Sequence, residues 1–313
     1  MNFLKKHPYL TLTIVIILVV VWLLLIENGE YGAALFFAIP SSISFLIGYD
    51  RKYTETPNSL LKAGLFAFLK VNVIILILCG ALIAIGLEGF ICVLMAYPFL
   101  VIPMTISYII GLFIAHADKS IQRNSLIFLV IFNPATYIYD SYTIPIQEEV
   151  TSTLIINTSK DAIWNDLTTE ITFTNTPNRL FKEGVSYPKS IALKKTNKEL
   201  SYNCITNNDT IILQITEFKN NHSVTFKPKE QTIPMRELTP YNSIDAKHLH
   251  HYFFVHFGKI KLEALSNHST KITATTLYSY KIAPKWYWKL WSNYIIDQMQ
   301  LHVLNSINSK YVN

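Results

Sequence analysis

The sequence predicts two parts in one chain: an α-helical membrane bundle, then an α+β domain whose antiparallel sheet packs on a long C-terminal helix. Three observations predict it. Long apolar runs fill the chain before Ser141, whereas Lys, Asp, Glu, Asn and Thr are frequent after it. From Val150 the apolar spacing takes a period of two, the repeat of a half-buried strand. From Pro284 it lengthens to steps of three and four, the repeat of an amphipathic helix.

Composition agrees. Half of the 313 residues are hydrophobic and 15% are charged, where soluble domains carry about a quarter charged residues. The deficit belongs to the first part alone, which implies a multi-span helical domain over residues 1–140 and a second domain over 147–313. Each is long enough to bury its own core.

A helix needs roughly 20 apolar residues to cross a hydrocarbon layer of about 30 Å. Leu10 to Ile26 follows Lys5 and Lys6 and lacks a small-residue cleavage site, so it reads as a retained first span rather than a signal peptide. Ala33 to Tyr49, Ala63 to Ile85, Phe90 to Ala115 and Ser125 to Tyr139 follow, giving about five spans. The last is short and holds Pro134; Pro40, Pro98 and Pro103 mark kinks that neighbouring helices can accommodate.

The loops orient the bundle. Lys5 and Lys6, then Arg51, Lys52 and Lys62, then Lys119 and Arg123 alternate with loops carrying Glu27 and Glu30, then Glu88. Basic loops face the cytoplasm, so five spans place the polar half outside it and an even number would place it inside. These loops account for much of the net charge of +6, and no recognition motif accompanies it, which excludes nucleic acid as a partner. A chain rich in Lys, Asn and Ile fits an AT-rich bacterial genome, hence a bacterial inner or plasma membrane. Lys70 lies near the cytoplasmic end of its span, where its amine can reach the headgroups. Cys79 and Cys92 sit in apolar runs; Cys204 stands alone in the polar half, where it has no disulfide partner.

In the second part, Val150 to Ile156 reads as a strand. Asn157, Thr158 and Ser159 then offer caps for a short helix that carries Ile163, Trp164 and Leu167 on one face. Alternating strands follow around Ile211–Ile215, Val224–Phe226, Ile260–Ala264 and Ile272–Tyr278, with clusters such as Asn207-Asn208-Asp209 as turns. The final helix carries Trp288, Trp291, Ile295, Met299, Val303 and Ile307 as an apolar stripe. A curved sheet around that helix leaves a cavity between them.

Particular residues carry a family likeness. Pro234-Met235-Arg236-Glu237, Thr239-Pro240-Tyr241, His248-Leu249 and Tyr252-Phe253 come first, followed by Gly258, Leu262, Leu265, Thr275 and Tyr278. A closing block runs from Lys281-Ile282-Ala283-Pro284 through Tyr287-Trp288, Trp291-Ser292 and Ile295-Ile296 to His302 and Val303-Leu304. Together they resemble membrane-linked members of the START-like superfamily, also called SRPBCC or polyketide cyclase/dehydrase and lipid transport. The resemblance implies a START-like helix-grip domain whose cavity accepts a hydrophobic ligand, with no single reaction attached. One strand departs from it: Ser201-Tyr202-Asn203-Cys204 keeps the cysteine of the family pattern without its arginine.

The candidate ligand-binding residues are Trp288, Trp291, Ile295, Met299 and His302 on the final helix, with Tyr252 and Tyr278 from the sheet. Candidate acid–base chemistry rests on Glu237 with His248 or Tyr241, against the plainer reading of a turn in which Glu237 pairs a cation. In His248-Leu249-His250-His251 only alternate side chains share a strand face, and no Cys or acidic ligand stands at a suitable spacing, so no metal site is expected. No nucleophile elbow, phosphate-binding loop or dinucleotide fingerprint occurs, and no cofactor is expected. The function read from the sequence is membrane-anchored binding or transfer of a hydrophobic small molecule, a lipid before others. The alternatives are a cyclase- or dehydratase-type enzyme on a lipid-like substrate and a tethered interaction module.

Overall fold

A computed structural model describes residues 8–50, 60–175, 178–182, 184–196, 199–231, 235, 250 and 252–312. Contacts divide the chain into two compact units. One holds five helices and the short stretch Ile282–Tyr287; the other holds the sheet and the rest of the last helix.

Each of the five apolar runs is helical: α1 (Pro8–Asn28), α2 (Ile39–Asp50), α3 (Leu60–Ala84), α4 (Phe90–Ile114) and α5 (Lys119–Ser141). A π-helical turn at Ala34–Ala38 leads into α2. Among the described residues, three helices are long and apolar enough to cross a membrane: Tyr9–Asn28, Gly64–Ala84 and Phe90–Ile114. They expose large apolar side chains outward, among them Leu12, Ile16, Leu76, Ile77, Ile102 and Ile106. The apolar stretch Ala34–Asp50 is shorter, and it is the best buried part of the unit, with Ser42, Ser44, Leu46 and Tyr49 almost wholly covered.

Apolar packing alone is a poor guide to which helix pairs with which, and two devices specify the partners of α2. Glycines let backbones touch. A Cβ on Gly48 would meet Tyr108 O of α4 at 2.3 Å, and one on Gly111 would meet Phe45 O of α2 at 2.2 Å. Hydrogen bonds then fix the register. Ser44 Oγ donates to Met104 O at 2.6 Å, Tyr49 Oη to Gln122 Oε1 at 3.0 Å, and Asn133 Nδ2 to Ser42 Oγ at 2.9 Å. The Asp140 carboxylate on α5 accepts the Ala33 and Ala34 amides, both at 2.8 Å, where the positive end of the helix dipole favours an anion.

In the second unit the elements are β1 (Ile146–Ile156), α6 (Lys160–Thr168), β2 (Glu170–Thr172), α7 (Arg179–Lys182) and β3 (Pro188–Lys195). Then come β4 (Leu200–Thr206), β5 (Thr210–Lys219), β6 (Ser223–Pro228), β7 (Phe253–Ser266), β8 (Ser269–Tyr280) and α8 (Lys285–Ser309). Ser159 caps α6 as expected, its Oγ accepting the Ala162 amide at 3.3 Å. The eight strands form one antiparallel sheet in the order β1-β8-β7-β6-β5-β4-β3-β2. The expected fold class is therefore what the structure has: a helical bundle and a helix-grip sheet. The core gathers α6 (Ile163, Trp164, Leu167), the end of α8 (Leu304, Ile307) and inward residues of the strands, including Tyr202, Val224, Leu262 and Ile272.

Candidate functional site

The inward face of the sheet can be read strand by strand from the register. One row runs Val150, Thr276, Gly258, Phe226, Ile215, and the next runs Ser152, Ala274, Ile260, Val224. Further across, Leu213, Tyr202 and Leu193 align, then Ile211, Cys204 and Ile191. The β1–β8 side of this face carries hydroxyls and the Glu148 carboxylate. The β3–β6 side is almost entirely apolar, and there Ile191, Leu193, Leu213, Ile215 and Phe226 are only partly buried.

Helix α8 has two inward rows matched to these two sides. Lys289, Asn293, Asp297 and Gln300 form a polar row against β1 and β8. Lys289 Nζ lies 2.8 Å from Glu148 Oε1, and Tyr278 Oη donates to Asn293 Oδ1 at 2.7 Å. The Ser152 hydroxyl sits 2.6 Å from Asp297 Oδ1 and 2.7 Å from Gln300 Oε1. Gln300 Nε2 donates to Val150 O at 3.1 Å and to Thr276 Oγ1 at 2.8 Å. Polar groups joined this fully fix position as well as contributing energy. The second row, Trp288, Trp291, Ile295, Met299 and His302, recurs at steps of three and four and so shares another face. His302 shows where that face points, because its ring packs on Phe173, Phe181 and Tyr187 beside β2, α7 and β3. The His302 end of the apolar row thus lies beside β2, α7 and β3, while the polar row holds the helix to β1 and β8.

The seven expected ligand-binding residues fall into distinct settings. Trp288 and His302 are buried, whereas Trp291, Ile295, Met299 and Tyr252 are half-buried. Tyr278 is fully buried, stacked on Phe253 and Tyr280, and its hydroxyl is engaged by α8. The three catalytic candidates, Glu237, His248 and Tyr241, lie outside the described residues.

Burial sets the chemistry of the groups that are described. His302 Nε2 is 3.2 Å from Pro188 O; a carbonyl only accepts, so Nε2 carries the proton and Nδ1 is the acceptor of the neutral ring. Burial lowers its pKa, and the bond to Pro188 opposes that shift. The Cys204 thiol is pushed up to about 12 by burial, which leaves it a neutral apolar filler rather than a nucleophile. Burial likewise raises the phenols of Tyr202 and Tyr278, and Tyr202 spends its proton on Leu167 O at 2.9 Å. Among the described residues no three His, Cys, Asp or Glu side chains gather as metal ligands.

The polar row of α8 escaped sequence reasoning, since Lys, Asn, Asp and Gln at helical spacing look like a solvated face. The signal that finds it is pairing: these residues at three- and four-residue steps match the hydroxyls and carboxylate at alternate positions of Glu148–Ser152 and Thr276–Tyr278.

No family model and no curated protein matches the chain by sequence. Solved structures resemble part of it. A START superfamily protein from Mycobacterium smegmatis aligns over 52% of this chain and 96% of its own, at 10% identity and a TM-score of 0.33. A truncated norcoclaurine synthase from Thalictrum flavum aligns over 54% and 96%, at 11% identity and a TM-score of 0.32.

Proposed function

We propose that this protein is a membrane-anchored, START-like binding protein for a hydrophobic small molecule of the lipid class, held between the apolar row of α8 and the apolar side of the sheet. The observation that carries the reading is the split of α8 into two rows. Lys289, Asn293, Asp297 and Gln300 fasten the helix, while Trp291, Ile295 and Met299 stay half-buried on it and Leu213, Ile215 and Phe226 stay partly buried on the sheet. Apolar surface that the protein itself does not cover is what a hydrophobic ligand completes, at about 25 cal/mol for each Å² removed from water.

The anchor is the helical unit. Helices α1, α3 and α4 have the length and composition of spans, and their exposed apolar side chains suit lipid rather than water. Tethering raises the local concentration of the binding site at the bilayer without any new contact. Residues 1–140 serve as the membrane domain and residues 147–313 as the binding domain.

Native mass spectrometry with lipid extraction, on the full chain purified in detergent, tests this against the Leu213→Trp variant. The variant fills the apolar side of the sheet and leaves the helical unit alone. A lipid-class molecule retained near one per chain by the wild type and lost from the variant supports the reading. Equal lipid content in both places the bound lipid elsewhere and defeats it.

A further inference from the structure

The Ser152–Asp297–Gln300 cluster is used to hold α8, and burial silences Cys204. One surface feature lies outside the proposed binding site, although Trp286 packs on Phe99 and the Tyr294 hydroxyl accepts from Asn178 Nδ2 at 3.1 Å. On α8 the side chains of Trp286, Leu290 and Tyr294 follow at steps of four and are 64%, 64% and 43% exposed. They form a row on the helix face turned away from the sheet. Adjacent large apolar side chains in water are costly and mark a contact surface.

The composition names the occupant. Tryptophan and tyrosine are the residues of the membrane–water interface, where an apolar ring and a polar edge are both satisfied, and long basic side chains flank such rings. Lys285 and Lys289 stand on the same two turns, with their amines engaged by Ile144 O and by the Glu148 carboxylate. Trp286 itself belongs to the helical unit. Within the helical unit, the Trp286 ring packs edge-on against Phe99 of α4 at 5.9 Å, and the neighbouring Tyr287 lies 5.1 Å from the same ring. The Tyr287 hydroxyl donates to Met95 O. Both Phe99 and Met95 belong to Phe90–Ile114, one of the three span-like helices.

We infer that the first turns of α8 lie in the headgroup layer of the bilayer, with Trp286, Leu290 and Tyr294 as an interfacial anchor. The inference rests on the reading of α1, α3 and α4 as spans, and one experiment separates the two. The full chain carries Cys92→Ser, since Cys79 and Cys204 are buried. Single nitroxides are placed at Leu290→Cys, at Tyr294→Cys, at Leu76→Cys on the outer face of α3 and at Glu263→Cys on the exposed part of β7. In vesicles of phosphatidylcholine and phosphatidylglycerol, power saturation compares access to oxygen, which concentrates in lipid, with access to a water-soluble nickel chelate.

The expected result is an oxygen-to-nickel ratio at Leu290 and Tyr294 severalfold above that at Glu263 and below that at Leu76. A Leu290 ratio equal to that of Glu263, with Leu76 high, overturns the anchor and leaves the spans standing. Labels at Leu290 and Tyr294 reached by neither reagent show protein covering the row, a second copy included, and also overturn it. A Leu76 ratio as low as that of Glu263 removes the spans and the anchor together.

Discussion

Each unit is organised around one helix, α2 among the helices and α8 against the sheet, and the two are held by opposite means. Helix α2 is buried nearly all round, so hydrophobicity cannot say which neighbour it meets. Its partners are chosen by contacts of backbone on backbone at Gly48 and Gly111 and by a few hydroxyl and amide bonds. Helix α8 has apolar surface to spare, yet it is fastened by its polar row. The difference teaches what each helix is for. On the proposed function α2, closed on every side, completes a scaffold, whereas α8, held by its polar row, by the Asn178–Gln298 bond and by Leu304 and Ile307 in the core, leaves Trp291, Ile295 and Met299 half-buried for a ligand.

The largest effect is expected at the glycine contacts. Gly111→Leu forces side-chain atoms into the carbonyl of Phe45, beyond the usual overpacking cost of about 1–3 kcal/mol. The full chain in detergent should lose its cooperative thermal transition for the helical unit. An unchanged transition would show that the α2–α4 approach is looser than described. Next comes Gln300→Leu, which strands Val150 O and Thr276 Oγ1 and should cost about 1–3 kcal/mol. A thermal melt followed through Trp164, which lies in the sheet core, reads that loss; no shift would mean that α8 is held by apolar contact after all.

Acid should also tell the two helices apart. Because burial lowers the pKa of His302 in the folded state, the unfolded chain takes up a proton first. Stability of the sheet unit is therefore full above the ordinary histidine value of about 6.5 and falls as pH drops below it. His302→Phe keeps the ring contacts with Phe173, Phe181 and Tyr187 and should flatten that slope in melts recorded at stepped pH. A slope identical to the wild type would assign the acid sensitivity to other groups. The smallest effect belongs to the exposed pair Lys219–Glu217, 2.8 Å apart with side chains 58% and 44% exposed. Lys219→Met should leave the midpoint of a denaturant titration essentially unchanged, and a clear loss would contradict its peripheral place.

Much of the fold is legible because its determinants are local. The helix boundaries follow the apolar runs to within a few residues, Ser159 announces α6, and Ile272, Ala274 and Tyr278 give β8 its inward face. What is not legible depends on partners distant in sequence. Hydropathy alone cannot distinguish α2, enclosed by its neighbours, from α3, which faces outward. β2 and α7 are too short to show a period, and the apolar residues of β3 are only partly buried. Of the candidate site, the apolar row from Trp288 to His302 was readable by its spacing. Its meaning required the polar row beside it, which acquires a function only when β1 and β8 are brought against it.

The most direct test of the central claim is photolabelling of the full chain with a diazirine-bearing fatty acid, followed by peptide mapping. The account predicts adducts on Ile295 or Met299 of α8 together with Leu213 or Phe226 of the sheet, suppressed by Leu213→Trp. Adducts confined to the outward faces of α1, α3 and α4, unaffected by that substitution, would contradict it.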